Sequence, residues 1–140
     1  MHVHKICLTL LSCCWLAACG VHNSVHPASE SSNAGVVPTG QLSIVQKLKE
    51  SDHLPVEERI ALYYRLKKEQ PETYNFRNED ELTMYGYAAL WSGNVAEAIA
   101  IFKLIVAEFP DSSNPYDSLG EAYLQNGNMD LSLANYQKSL

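Results

Sequence analysis

Apolar residues recur at helical spacing through most of the chain after residue 40, a pattern that predicts an all-α fold. The predicted helices of the second part of the chain lie at about 79–91, 95–109, 114–126 and 129–139. Upstream, Val56 to Gln70 carries another apolar set and ends at Pro71, with Leu42 to Glu50 as its expected partner helix. Proline ends a helix because it has no N–H to donate and restricts the residue before it.

Residues that favour helix ends lie at the predicted boundaries. Asn78 and Asn94 are each followed three residues later by a glutamate, which is the spacing of a capping box. Asn114 precedes a proline, so we expect a cap residue followed by proline at the first helical position. Gly93 and Gly127 are expected to adopt the left-handed turn that follows the first helix of a pair.

The segment after residue 78 matches itself at an offset of 34 residues. Gly86 falls on Gly120, and Phe102 falls on Tyr136. A period of this length predicts stacked helical hairpins. The aromatic rings are expected to fill the space between one hairpin and the next. Small residues are expected where two helices cross most closely, at Gly86, Gly120, Ala98 and Ser132.

These residues resemble the tetratricopeptide repeat by type and spacing. The first copy contains Leu82-x2-Tyr85-Gly86-x2-Ala89, Ala98-x3-Phe102 and Pro110, and the second contains Tyr116-x2-Leu119-Gly120-x2-Tyr123 and Ser132-x3-Tyr136. The resemblance implies antiparallel helical hairpins stacked as a short solenoid, with a degenerate hairpin over 41–78 and two repeats over 79–112 and 113–140. Tyr74-Asn75-Phe76 would form an aromatic clasp between the first two hairpins. Residues 56–140 are also similar to the helical tail of some bacterial serine hydrolases and penicillin-binding-protein-like enzymes.

The start of the chain has the layout of a secretion signal. Met1 to Lys5 is short and weakly basic, and the apolar run from Ile6 to Ala18 is shorter than the roughly 20 residues that a membrane-spanning helix needs. Leu16-Ala17-Ala18-Cys19-Gly20 resembles the lipobox of bacterial lipoproteins, which implies cleavage before Cys19 and lipidation of its thiol. We therefore expect a signal peptide over 1–18, and the lipidated cysteine with a flexible, Ser/Asn/Gly/Pro-rich tether over 19–40.

Composition narrows the chemistry of the exported part. The 4 cysteines all lie at or before the expected cleavage point, so none remains for a disulfide or a metal site. Loss of the signal leaves 9 Lys and Arg against 16 Asp and Glu, which argues against a nucleic-acid partner. His22 and His26 are expected to be solvated tether residues rather than metal ligands. No cofactor and no metal are expected.

Catalytic motifs are missing from the sequence. No Ser has Lys three residues later, and no Gly precedes a Ser by two, so neither S-x-x-K nor G-x-S-x-G occurs. Ser118 with Asp117 and His53 could be imagined as a triad, but Ser118 falls inside a predicted helix and is expected to be an ordinary surface serine. Acidic runs at Glu57-Glu58 and Glu79 to Glu81 fall in helix first turns, where they complement the dipole. We expect no enzyme activity. Five tyrosines fit core packing positions: Tyr63, Tyr85, Tyr116, Tyr123 and Tyr136.

In tetratricopeptide proteins a concave face binds other proteins, and the resemblance places that face on the first helix of each repeat. The positions that correspond here are Asp80, Thr83, Tyr87, Leu90, Trp91, Asn114, Asp117, Glu121, Leu124 and Gln125. The face is acidic, with Tyr87 and Trp91 as candidate hydrophobic anchors. We therefore expect a basic or aromatic segment of an envelope protein as the partner, rather than a clamped peptide carboxylate. Packing of Leu90 and Trp91 on the upstream hairpin or on another copy is the alternative.

Two function classes remain open. One is a lipid-anchored protein–protein interaction module, a scaffold or adaptor of the bacterial envelope. The other is a detached, non-catalytic accessory subunit of an envelope serine hydrolase. Leu131, Leu133 and Leu140 of the terminal helix have no following repeat to cover them, which offers a surface for self-association. The expected location is a bacterial membrane, facing the periplasm, and Gly20 in place of an aspartate favours the outer membrane.

Overall fold

The computed structural model describes residues 40–140, which are mostly helical, so the all-α prediction is confirmed at the level of class. In that range the helices are α1 (Ile44–Lys49), α2 (Val56–Glu69), α3 (Glu79–Trp91), α4 (Val95–Glu108), α5 (Asn114–Gln125) and α6 (Met129–Lys138). Their bounds confirm the predicted helices after residue 78 to within one residue. The expected signal peptide, Cys19, His22, His26 and all but the last residue of the tether lie outside the described residues.

The first predicted helix begins later than expected. Leu42 and Ser43 form a short strand, β1 (Leu42–Ser43), that pairs in parallel with β2 (Tyr74–Asn75). The Ser43 hydroxyl accepts a hydrogen bond from the Gln46 amide at 2.9 Å, so α1 starts at Ile44. A serine at this position satisfies a backbone N–H that has no partner within the helix. The prediction of helix from Leu42 is therefore corrected.

Only one of the three predicted asparagine caps forms. The Asn78 side chain accepts from the Glu81 amide at 3.1 Å and so caps α3. Asn94 makes no cap bond, and its amide donates to the Ser92 hydroxyl at 3.3 Å. Asn114 is already helical, Ser113 precedes it, and the Asn114 amide is directed to a glutamate of α3. The capping predictions for Asn94 and Asn114 are wrong because their side chains have other partners.

The helices pack largely on their neighbours in sequence, with α3 on α4, α4 on α5, and α5 on α6. Upstream, α1 contacts α2 and α3, and α2 also contacts α4. Tyr63 and Phe102 are the largest fully buried side chains. Phe76 follows β2 and places its ring edge-on to Tyr63, with centroids 5.3 Å apart. No helix in the described range is long and apolar enough to cross a bilayer.

Candidate functional site

Helix α3 presents a stacked pair of aromatic rings at its C-terminal end. Tyr87 and Trp91 lie one turn apart and therefore share a face of the helix. Their ring centroids are 5.2 Å apart and the planes differ by 27°, so the rings stack. Tyr87 is half-buried, with its ring edge against the buried Phe102 ring, whereas Trp91 is 68% exposed. Phe102 of the core therefore packs against Tyr87, and Tyr87 covers one face of the Trp91 indole.

Helix α5 supplies the acidic part of the same surface. The Tyr87 hydroxyl donates to Glu121 Oε2 at 3.0 Å, and the Gln125 amide makes a weaker bond of 3.5 Å to Glu121 Oε1. Burial raises the pKa of the Tyr87 hydroxyl, and its hydrogen bond to Glu121 acts in the same direction. The hydroxyl therefore stays protonated and remains a donor at neutral pH. Tyr87, Trp91, Asp117, Glu121 and Gln125 are called the α3–α5 surface below.

The carboxylates of the α3–α5 surface have no cationic partner among the described residues. The ion pairs found there join Lys47 to Glu50, Arg59 to Asp52, Arg59 to Glu97, and Lys67 to Glu108. Residues 79–140 contain nine acidic side chains and two basic ones, Lys103 and Lys138. The two ammonium groups lie over other rings, those of Tyr123 and Tyr116. The negative charge at Asp117 and Glu121 is therefore uncompensated locally.

The remaining predicted face residues are divided between two places. Asp80 is exposed, but it lies in the first turn of α3, about 16 Å along the helix axis from Trp91. Asn114, at the start of α5, donates to Glu79 Oε1 at 3.2 Å. Leu124 is exposed in the last turn of α5, close in sequence to Gln125. The structure thus groups Tyr87 with Glu121 and separates both from Asp80 and Asn114.

Two predicted face residues are buried. Thr83 is 7% exposed, and its hydroxyl has no hydrogen-bond partner in the described part of the chain; Leu90 is buried as well. Both side chains turn inward because α3 packs on α4 and also contacts α1 and α5, which covers more than one of its faces. Thr83 and Leu90 are therefore removed from the expected binding face.

Ser118 also departs from its prediction as a surface serine. Its side chain is buried, and its hydroxyl has no partner among residues 40–140. The reason is that α5 packs on α4 and α6 and also contacts α3, so little of its circumference remains open. Ser118 thus belongs to the interior of the helix array, whereas Asp117 beside it is exposed.

The sequence did not reveal a buried polar cluster around Arg59. Its guanidinium donates to Glu97 Oε1 at 2.7 Å, to Asp52 Oδ1 at 3.2 Å and to the Leu54 carbonyl at 3.2 Å, and it also donates to the Tyr85 hydroxyl. Arg59 shares the buried stripe of α2 with Tyr63 and Leu66. One signal in the sequence could have indicated this cluster. Arg59 lies four positions before Tyr63, on the same face of the helix, and a charged residue on a buried face must find polar partners in the interior.

The tyrosines of this region reflect the same environment. Burial raises the pKa of Tyr85 to about 12, even though the Arg59 charge opposes that shift. Burial likewise raises the pKa of Tyr63, whose hydroxyl donates to Glu108 Oε2 at 2.8 Å. Glu108 also pairs with Lys67. These bonds join α2 to α3 and α4 through polar contacts, and none of them involves a residue of the α3–α5 surface.

Of the tyrosines predicted to be core, three are buried, and Tyr116 and Tyr136 are half-buried.

The leucines expected to offer a self-association surface on α6, Leu131 and Leu133, are exposed, as is Leu140. Within residues 40–140, no group of three His, Cys, Asp or Glu side chains is placed to hold a metal ion. No protein-family model matches the chain, and no curated protein is significantly similar to it.

Proposed function

We propose that this protein is a lipid-anchored interaction module of the bacterial envelope, built as a short stack of antiparallel helical hairpins of tetratricopeptide type. The proposal of a repeat rests on one structural observation. A Cβ added to Gly86 would lie 2.6 Å from the Phe102 ring, and a Cβ added to Gly120 would lie 2.9 Å from the Tyr136 ring. Both pairs are separated by 16 residues, and they are related by the 34-residue offset. Glycine thus lets an aromatic ring approach the backbone at equivalent places.

The turns between helices support the same repeat. Gly93 and Gly127 have φ angles of 85° and 78°, which glycine adopts without the strain that a Cβ would cause. In the residue after each glycine, the backbone N–H donates to a carbonyl five residues back: that of Asn94 to Ala89 and that of Asn128 to Tyr123, both at 2.9 Å. Two turns at the same offset therefore have the same hydrogen-bond geometry, as repeated hairpins require.

The upstream helices support a third, divergent hairpin. Gln70 and Phe109 end α2 and α4 in nearly the same conformation, with φ of −137° and −129°, and each precedes a proline. Their amides donate four residues back, to Leu66 and Ile105, at 2.8 Å in both cases. This local match agrees with an alignment of Pro71 on Pro110. It supports treating α1 and α2 as a degenerate first repeat.

Membrane attachment in this proposal rests on the lipobox-like sequence that ends at Cys19. Replacement of Cys19 by alanine removes the thiol that would take the lipid, so the variant should leave the membrane fraction. Fractionation of cells that express the tagged full chain measures this, with Ser24→Ala as a matched change just beyond the motif. Processed Cys19→Ala protein that remains membrane-bound like the wild type would contradict the anchor.

Partner binding rests on the α3–α5 surface, where an exposed indole and uncompensated carboxylates lie on helices that the core holds in place. A proposed partner has a basic segment and lies in the envelope near the anchored protein. Purification of the tagged full chain from membranes, followed by identification of co-purifying proteins, tests this function. A partner that is recovered reproducibly and lost on change of Trp91 supports the proposal. Absence of any stoichiometric partner would oppose it.

A further inference from the structure

We infer that the α3–α5 surface recognises arginine side chains of the partner polypeptide, with one guanidinium stacked on the open face of Trp91 and a neighbouring one paired with the Glu121 carboxylate. This inference rests on the proposed function and names the chemical group of the partner that the surface binds. Its basis is the juxtaposition of an exposed indole, a tyrosine that fixes the indole, and a carboxylate that the same tyrosine holds.

The indole is prearranged for stacking. Tyr87 covers one face of the Trp91 ring with nearly parallel geometry, and Phe102 supports Tyr87 from the core. Trp91 is nevertheless more exposed than any other aromatic side chain among residues 40–140. A ring that is already held loses little side-chain entropy when a ligand stacks on it. The open face of a tryptophan is also the best aromatic surface for a cation.

The Glu121 carboxylate, which lies at the hydroxyl end of Tyr87, is available to a cation. Glu121 accepts from Tyr87 through Oε2 and only weakly from Gln125 through Oε1. A carboxylate has about four lone-pair sites, so it can accept further donors. Asp117 lies one turn earlier on α5, where it is exposed and adds negative charge to the same surface. An anionic ligand would be repelled here, and an apolar one would leave both carboxylates unpaired.

Arginine fits this pair of features better than lysine does. Its guanidinium is planar, stacks on aromatic faces and presents two parallel N–H donors to a carboxylate. It is also less strongly hydrated than an ammonium group and so loses less on partial burial. Lysine could reach the same carboxylate, but only as a point charge. The surface therefore distinguishes the two cations by shape.

The direct test uses the full chain in detergent and a labelled peptide of alternating arginine and glycine, with binding read from fluorescence anisotropy. The citrulline version of the peptide is nearly isosteric and uncharged. We expect it to bind about tenfold more weakly, and the lysine version about threefold more weakly. Trp91→Leu should weaken the arginine peptide about fivefold or more. Glu121→Gln should weaken it about threefold and flatten the dependence of affinity on salt.

Matched controls are Tyr64→Leu, an exposed aromatic on α2, and Glu72→Gln, an exposed carboxylate between α2 and α3. Both should bind the arginine peptide like the wild type, and circular dichroism should show every variant folded. Equal binding of the arginine and citrulline peptides would overturn the inference, and so would wild-type affinity in folded Trp91→Leu. A dimer that dissociates on Trp91→Leu would also overturn it, because a second copy would then occupy the surface.

The same variants separate this inference from the proposed function. If Trp91→Leu and Glu121→Gln recover the envelope partner as well as the wild type does, the interaction module stands and its arginine site is wrong. If the arginine peptide binds as expected but the full chain recovers no stoichiometric partner from membranes, the site stands and the proposed envelope function is wrong. Loss of both partner and peptide in Trp91→Leu supports the two together.

Discussion

Gly86 and Gly120 occupy equivalent positions in the 34-residue period, but the rings that approach them have different freedom to move. Phe102, which covers Gly86, is fully buried, whereas Tyr136, which covers Gly120, is half-exposed. An added Cβ would need the ring to shift in both cases, because it would lie within 3.0 Å of ring atoms. A ring enclosed by close-packed neighbours cannot shift without disturbing them.

Gly86→Ala should therefore destabilise the protein by about 1–3 kcal/mol, the usual cost of an overpacked core, less what alanine contributes as a better helix former. Gly120→Ala should cost less than about 1 kcal/mol, because Tyr136 can move toward solvent. Urea unfolding followed by circular dichroism measures both. Adding Phe102→Leu to Gly86→Ala should recover part of the loss. Equal effects of the two glycine changes would show that the difference in burial is unimportant.

The raised pKa of Tyr85 predicts a loss of stability in alkali. The pKa is about 10 in an unfolded chain and about 12 in the folded protein, mainly because the hydroxyl is buried. A group whose folded pKa is raised contributes its full stability below pH 10, and that contribution disappears as the pH rises toward 12. Two pKa units correspond to about 3 kcal/mol at most. The free energy of unfolding should therefore fall from pH 9 to pH 11 less steeply in Tyr85→Phe than in the wild type.

The control for this titration is the range below pH 9, where the Tyr85 hydroxyl stays protonated in the folded protein and in the unfolded chain. There, the free energy of unfolding of Tyr85→Phe and that of the wild type should change with pH in parallel. Because burial also raises the pKa of Tyr63, some slope will remain in Tyr85→Phe. Identical slopes for Tyr85→Phe and the wild type would mean that the Tyr85 hydroxyl ionises in the folded protein as readily as in the unfolded chain.

At the scale of helices, truncation of Phe102 on α4 tests how α4 packs on α3. It is fully buried, lies against Gly86 of α3, and contacts the Tyr87 ring. These contacts are with the helix that precedes α4 in the same predicted repeat, whereas the sequence predicted that the ring fills the space before the next hairpin. Phe102→Ala should destabilise the protein by about 3–5 kcal/mol. Tyr136→Ala on α6, with a half-exposed ring, should cost distinctly less. Thermal unfolding of both variants measures the difference. An unchanged melting temperature for Phe102→Ala would contradict the packing of α4 on α3.

The helices could be predicted from sequence because their signals are local. Apolar periodicity, together with the helix-ending residues Gly93, Gly127 and Pro110, places the later helices to within one residue of their observed bounds. The caps could not be predicted as well, since an asparagine or glutamate is free to choose a distant partner. Glu97 has the spacing of a capping residue, yet it pairs with Arg59, 38 positions away. Leu42 likewise joins a strand because its partner, Tyr74, lies far along the chain.

At the scale of the whole molecule, the sequence predicted part of the candidate site. The tetratricopeptide resemblance placed Tyr87, Trp91 and Glu121 on one face, and the structure brings Tyr87 into contact with both others. The same reasoning included Thr83 and Leu90, which the structure buries, because a repeat pattern assigns faces without knowing how closely the next helices pack. The stacking of Tyr87 on Trp91 depends on rotamers, and no sequence pattern specifies it.

Charge is also distributed unevenly over the molecule. Residues 40–78 contain seven basic and six acidic side chains, whereas residues 79–140 contain two and nine. A basic partner would therefore be drawn to the second part of the chain by a field that extends about 8 Å at physiological salt. Two explanations of such binding can be distinguished: attraction by the total negative charge, or contact with the α3–α5 surface itself.

Reversal of Asp117 and Glu121 together to lysine tests this distinction. Glu69→Lys with Glu72→Lys raises the formal net charge of −6 by the same amount, at exposed positions near the end of α2. If contact with the α3–α5 surface determines binding, recovery of the proposed envelope partner should fall about tenfold with the first pair and stay within about twofold with the second. The loss should shrink at high salt, because exposed charges are screened. Equal losses would assign binding to total charge, and full recovery with the first pair would move the binding surface to the exposed leucines of α6.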